Sequence, residues 1–309
     1  MSGVSNANRT KSISLAILMI MMAQAGYLEH VNPWKANEDT LGQTANATSG
    51  SGTGITTTYG NGSTWLAADI LPAGNSNPGY NGLGIAVGDT IYFDAYGSNA
   101  ANRELWAYDI SNHSAWQVAD INSGSSSSEL GEYMQILVGD TIYFDADDGQ
   151  TGKELWAHDT SNHSTWQVAD IRAQAGTGSS PGMYMAMLVG DTLYFSASDG
   201  IIGNELWAHD TSNHSTWPVT DISSVSSGGS EDTDPGLYME ILVGDTIYFS
   251  ARQGGQDIEL WAHDTSNHST WQATDIRVDA TFGSNPGMFM AMLVGDTLYF
   301  GADAGTAGG

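Results

Sequence analysis

From residue 63 onward the chain is written in short apolar runs separated by turn residues, and the arrangement repeats. In one copy the apolar run YMQILV at 133–138 leads to Gly139-Asp140, a two-residue hairpin signal, and then to TIYFDA at 141–146, rich in β-branched and aromatic residues. The Gly-rich stretch DDGQTGK at 147–153 follows, then ELWAHD at 154–159, a turn at Ser161-Asn162-His163, and TWQVADI at 165–171. Each unit thus predicts four short antiparallel strands, and beyond residues 13–22 no segment shows a helical period.

Two landmarks fix the period. VGDT(I/L)YF recurs with its glycine at 88, 139, 190, 244 and 295, and ELW begins at Glu104, Glu154, Glu205 and Glu259. A step of about fifty residues with four strands each is the arithmetic of a propeller blade. Four complete blades are expected over 80–121, 132–171, 183–222 and 237–276, preceded by a lone fourth strand at Ser63–Ile70. The chain closes with a first and a second strand at 288–294 and 297–302, and its alignment puts Gly309 one residue before the next expected ELW. That phase points to a fragment of a longer array; pairing the Ser63–Ile70 strand with the last hairpin would alternatively close five blades. The expected fold is all-β, a β-propeller-like array of four-stranded antiparallel blades, about five repeats with the last incomplete.

Charge narrows the partners. The 309 residues carry 35 acidic side chains against 8 Lys and Arg, a formal charge of −27. Nucleic acid is excluded, because its phosphates require a basic footprint. There is no cysteine, so neither disulfides nor thiolate chemistry operate.

The N-terminus bears on location. Arg9 and Lys11 precede the apolar run Ile13–Met22, and Ala23-Gln24-Ala25 completes the basic, apolar and A-x-A layout of a secretory signal peptide. Residues 1–25 are read as that peptide, 26–62 as a flexible Gly/Ser/Thr/Asn-rich linker and 63–309 as the repeat domain. The apolar run is too short for a span of roughly 20 residues, and no other segment approaches one. An extracellular or cell-surface location is expected.

The motif residues resemble the ELWxxDGT repeats, also described as hyalin-like, of exported bacterial and archaeal surface proteins. Matching positions are Tyr143-Phe144-Asp145-Ala146-Asp147-Asp148-Gly149, Gly152, Glu154-Leu155-Trp156, Asp159 and Ala169-Asp170-Ile171. The departure is consistent: DTSN or DISN stands where that family has DGT. The resemblance covers about residues 63–309 and implies a propeller-like extracellular domain with no assigned catalytic residues.

Candidate chemistry is sparse beside this repetition. One Trp in each third strand (Trp106, Trp156, Trp207, Trp261) and one near the start of each fourth (Trp65, Trp116, Trp166, Trp217, Trp271) suit inter-blade packing, with sugar stacking as the functional alternative. Asp145, Asp147 and Asp148 form an oxygen-rich run that could hold calcium in one blade; the equivalent runs elsewhere do not keep the carboxylates. Asn112, Asn162, Asn213 and Asn267 each begin an NHS sequon on the same turn, a candidate glycosylation site, although Asn favours turns in any case. His158, His209 and His263 share a strand position that is Tyr108 in the first blade, which suits structural histidines better than metal ligands. The positions that break the repeat are Arg172 and Arg277 after two fourth strands, and Glu231, Asp232 and Asp234 in a longer inter-blade connection; these are the ligand-binding candidates.

These readings lead to a non-catalytic exported repeat protein acting as an adhesion or binding scaffold toward glycans or cell-envelope components. A lectin-like propeller is the alternative, and a secreted glycoside hydrolase using the Glu231–Asp234 segment the third reading.

Overall fold

A computed structural model describes residues 57–59, 62–97, 102–222, 232–253, 255, 257–277 and 282–305. The expected signal peptide, the linker before residue 57 and Glu231 lie outside the described residues. Of the described residues, those within Asn32–Pro235 and Arg252–Gly255 form one compact unit, and those within Gly236–Ala251 and Gln256–Gly309 form another. No helix among the described residues is long and apolar enough to cross a membrane.

The fold is all-β and propeller-like. A small hairpin comes first, β1 (Thr57–Tyr59) with β2 (Gly62–Thr64). Blade one is β3 (Gly84–Val87), β4 (Thr90–Tyr96), β5 (Arg103–Asp109) and β6 (Ser114–Ala119), and blade two is β7 (Gln135–Val138), β8 (Thr141–Asp147), β9 (Lys153–Asp159) and β10 (Ser164–Ala169). Blade three, also in the first unit, is β11 (Ala186–Val189), β12 (Thr192–Ser198), β13 (Asn204–Asp210) and β14 (Ser215–Pro218). The second unit holds β15 (Glu240–Val243), β16 (Thr246–Arg252, whose last residue belongs to the first unit), β17 (Ile258–Asp264) and β18 (Ser269–Thr274) as blade four, and a two-stranded sheet of β19 (Ala291–Val294) and β20 (Thr297–Phe300). In blades one to three the strands are antiparallel and in sequence order, as the repeat requires.

The turns follow from their residues. In the β7–β8 hairpin Val138 pairs with Thr141, and Gly139 takes φ 59° while Asp140 stays at negative φ. Positive φ at the first position only is the type II′ pattern that matches the strand twist. No atom lies within 4 Å of a Cβ built on Gly139, so the backbone angle alone demands glycine. Between β9 and β10 the turn is stiffened by its own side chains. Asp159 Oδ1 accepts from the Ser161 and Asn162 amides at 2.8 and 3.3 Å, Asn162 Nδ2 donates to Asp159 Oδ2 at 2.7 Å, and Asn162 Oδ1 accepts from the Ser164 amide at 2.9 Å. His163 then closes the turn in the left-handed region, φ 61°, its amide donating to the Asp159 carbonyl at 2.8 Å. An Asp–Asn side-chain scaffold thus does the work that a glycine turn would do.

Alternation along each second strand sets the core. Tyr143 and Trp166 face blade three, packing with Leu193, Phe195 and Trp207. Phe144 and Trp156 face the other way, with Leu83, Tyr92 and Leu105 of blade one. The core of the first unit is therefore a set of inter-blade layers, and a blade alone could not bury its two faces.

One strand expectation is corrected. Ser63–Ile70 does not form a fourth strand: β2 ends at Thr64 and pairs with β1, and residues 65–69 carry no strand. A fourth strand needs a third strand beside it, and β1 offers only three residues of pairing. Ala68 and Ile70 still pack on Phe93, Ala95 and Tyr108, covering the blade-one face as a preceding blade would. The first strands are also shorter than expected, because Tyr133 and Met134 bond to a side chain rather than to a strand.

Candidate functional site

Antiparallel order gives every blade two ends. The VGDT hairpins and the SNHS turns share one end; the strand two–three loops and the inter-blade connections share the other. The described residues that break the repeat, Arg172, Asp232, Asp234 and Arg277, belong to the connection end.

At that end most candidate groups are engaged. Glu154 of ELW is buried and ties the connection: its carboxylate accepts from the Ile171, Arg172 and Ser179 amides at 3.0, 3.3 and 2.9 Å and from Ser179 Oγ at 2.6 Å. Glu104 and Glu259 hold their connections in the same way. Among the described residues Glu205 accepts from the Ile222 amide and Thr233 Oγ1, its Oε1 has no partner, and burial pushes its carboxyl up to about 8. The repeated ELW glutamate is thus a structural clasp, a role that neither its spacing nor its composition announced.

The described ligand-binding candidates each make local contacts. Asp232 Oδ1 accepts from the Asn204 amide at 2.9 Å, and Asp234, raised by burial, pairs with Arg252 Nε at 3.0 Å. In the second unit Arg277 pairs with Asp303 at 2.9 Å and lies over Phe282. Arg172 packs against the chain at Gly200, where an added Cβ would lie 2.8 Å from its Nε. Glu231 lies outside the described residues.

Nor does the structure gather Asp145, Asp147 and Asp148 on one point. Asp145 is fully buried; its Oδ1 accepts from the Tyr133 and Met134 amides, both at 2.9 Å, and its Oδ2 lies 3.6 Å from the Lys153 ammonium. Burial raises its carboxyl to about 6 against the opposing pull of Lys153. Asp147 and Asp148 bond to the loop amides of Gly149, Gln150 and Thr151. Among the described residues no three His, Asp or Glu side chains are placed to hold a metal ion.

The hairpin end is different. A groove of about 450 Å³ opens there between blades two and three, lined by Tyr143, Asp159, Asn162 and Trp166 from one blade and by Thr211 and His214 from the next. At the interface of blades one and two the same six positions carry Tyr92, Asp109, Asn112, Trp116, Thr160 and His163, without a change of residue type. The two Trp sets differ by degree here. Trp207 and Trp261 of ELW are buried and Trp106 and Trp156 half-buried, whereas in the fourth strands Trp116 and Trp271 expose 37% and 40% of their surface and Trp166 and Trp217 are half-buried. The sequon residues Asn112, Asn162, Asn213 and Asn267 all sit exposed on these turns, each with its Nδ2 donating to the preceding Asp carboxylate. Buried behind the groove, His209 bonds Thr216 through Nδ1 at 2.9 Å and lies 5.5 Å from the Tyr143 ring; burial lowers it to about 4, so it is neutral.

No known protein family model matches the chain. No curated protein matches either. Among solved structures the chain is similar to TolB from Acinetobacter baumannii, at 14% identity over 69% of this chain and 48% of that one, with a TM-score of 0.34. It is also similar to a puromycin hydrolase, at 11% identity over 60% and 27% with a TM-score of 0.39, and to one of two prolyl endopeptidases, at 11% identity over 79% and 35% with a TM-score of 0.47. The chain spans less than half the length of each of these three structures.

Proposed function

We propose that the protein is a non-catalytic, exported repeat protein whose blades serve as a binding scaffold at the cell surface, in the manner of the ELWxxDGT repeats that its motifs resemble. The observation that carries this reading is the repetition of one set of six groove side chains at successive blade interfaces. Identical sites suit multivalent attachment, in which weak contacts add through effective concentration. A single catalytic centre needs unlike groups converging on one point. The basic, apolar and A-x-A layout of residues 9–25 supports export. The hydrolase reading is weakened by the pairing of Asp234 with Arg252.

The test uses the full chain. It is expected to co-sediment with intact cells and with purified envelope polysaccharide, and to turn over none of a panel of chromogenic glycosides and peptide anilides. Failure to sediment with either material overturns the scaffold reading, as does turnover that disappears in Asp234→Asn.

A further inference from the structure

Resting on that scaffold reading, we propose that the inter-blade groove at the hairpin end is a saccharide site that takes one neutral hexopyranoside, stacked on Trp166, and that the equivalent positions around Trp116 form a second. The groove combines an aromatic face with a rim of fixed polar groups. Half-buried Trp166 supplies the apolar surface, backed by the buried Tyr143 ring, and Asp159, Asn162, Thr211 and His214 edge it. A pyranose has that duality: one face of C–H groups packs on an indole, while its equatorial hydroxyls seek donors and acceptors. The volume of about 450 Å³ lies in the range of small-molecule sites.

The rim is pre-organised. Asp159 and Asn162 are held by each other and by the Ser161 and Ser164 amides, so a sugar need not order them. The ring of His214 projects from a backbone fixed in the left-handed region, φ 61°, with its amide bonded to the Asp210 carbonyl at 2.8 Å. Charge selects the ligand class. Hydrogen bonds from Ser161 hold the Asp159 carboxyl below its usual range, so the rim carries a negative charge on a chain of net −27. Sialic and uronic acids are repelled, and uncharged sugars are not.

The full chain is titrated with the methyl pyranosides of glucose, galactose and mannose, with N-acetylglucosamine, and with N-acetylneuraminic acid as the charged control. Binding is read by tryptophan fluorescence and saturation-transfer NMR. At least one neutral sugar should saturate with millimolar affinity. Trp166→Ala should remove about half of the sites, and Trp116→Ala with Trp166→Ala nearly all of them. Because Trp166 also packs between blades, His214→Asn is the control that leaves the core intact; Asn tolerates the left-handed backbone, and the change should weaken binding about tenfold, a loss of ~1.4 kcal/mol, with an unchanged melting curve. The inference is overturned if no neutral sugar binds, if binding survives both Trp changes, or if N-acetylneuraminic acid binds best. A chain that still sediments with cells but binds no neutral sugar would sink this inference and leave the scaffold reading in place; loss of both would end both.

Discussion

Blades two and three solve the same packing problem with different chemistry. In blade two Asp145 accepts from the Tyr133 and Met134 amides and lies beside the Lys153 ammonium. In blade three Ser196 Oγ accepts from the Tyr184 and Met185 amides at 2.9 and 3.4 Å, and uncharged Asn204 stands where Lys153 does. Blade four repeats the neutral version, with Ser250 Oγ accepting from the Tyr238 and Met239 amides and Ile258 at the cation position. Blade one is charged again: Asp94 bonds to Arg103, whose guanidinium lies between the Tyr80 and Tyr96 rings at 4.8 and 4.9 Å. What the position requires is an acceptor for the lead-in loop. A hydroxyl suffices, and a carboxylate there brings a cation with it, because an unpaired buried charge is costly. The apparent calcium ligand of the sequence is one half of that internal pair.

The comparison can be broken most severely at Lys153. Lys153→Met leaves the Asp145 carboxylate buried without its cation and should cost about 3–5 kcal/mol, whereas the double change Asp145→Ser with Lys153→Asn, which installs the blade-three solution, should stay within about 1 kcal/mol of the parent. Urea unfolding of the two variants decides it; equal losses would mean that the charges are independent.

The glutamate clasps provide the second contrast. Glu154 accepts four hydrogen bonds, so Glu154→Gln should cost about 1.5–3 kcal/mol. Among the described residues Glu205 accepts two, and it is pushed up to about 8 from an ordinary value of 4.5. A carboxyl raised in the folded state contributes its stability below pH 4.5 and loses it as pH climbs toward 8, because the unfolded chain ionises first. Glu205→Gln should therefore flatten the decline of melting temperature over that window, and an unaltered slope would contradict the assignment.

The histidines act in the opposite direction. His158 and His209 are lowered by burial from 6.5 to about 4, so their contribution is present above pH 6.5 and drains away as pH falls toward 4. His158→Tyr, which copies Tyr108 of blade one, should reduce the acid loss in melting scans between those limits. The smallest effect is expected in the hairpins. Gly139→Ala and Gly190→Ala should each cost about 1 kcal/mol and equally, since both glycines hold φ 59° with open space around the missing Cβ. Unequal midpoints in urea would point to a packing difference between the blades.

Much of this fold was legible in the residues. Four strands per repeat, the Gly-Asp hairpins and the SNHS turns follow from period-two alternation and turn chemistry, which act over a few residues. The strand ends were less so: Tyr133 and Met134 read as strand but belong to the loop bonded to Asp145, a partner 11 residues or more away in the chain. Ser63–Ile70 copies a fourth strand in letters, yet strand formation depends on a neighbour, and among the described residues no third strand lies beside this segment.

For the candidate sites the limits were stricter. Among the exceptions to the repeat, Asp232, Asp234 and Arg277 are paired locally, while Arg172 packs against Gly200 with its Nε unpartnered among the described residues. The groove instead consists of residues that the repeat keeps, apart from Ile110 at the Thr211 position of the first blade, and repetition alone gives no means of separating a packing Trp from a half-exposed one. The sequence by itself determined the all-β blade, its period and its turns, because those depend on local alternation and on backbone angles that few residues tolerate. The tertiary structure decided which carboxylates are clasps, which Asp needs a cation and which Trp faces a groove, because burial and partnership are set by the neighbouring blade, and its residues lie about fifty positions away.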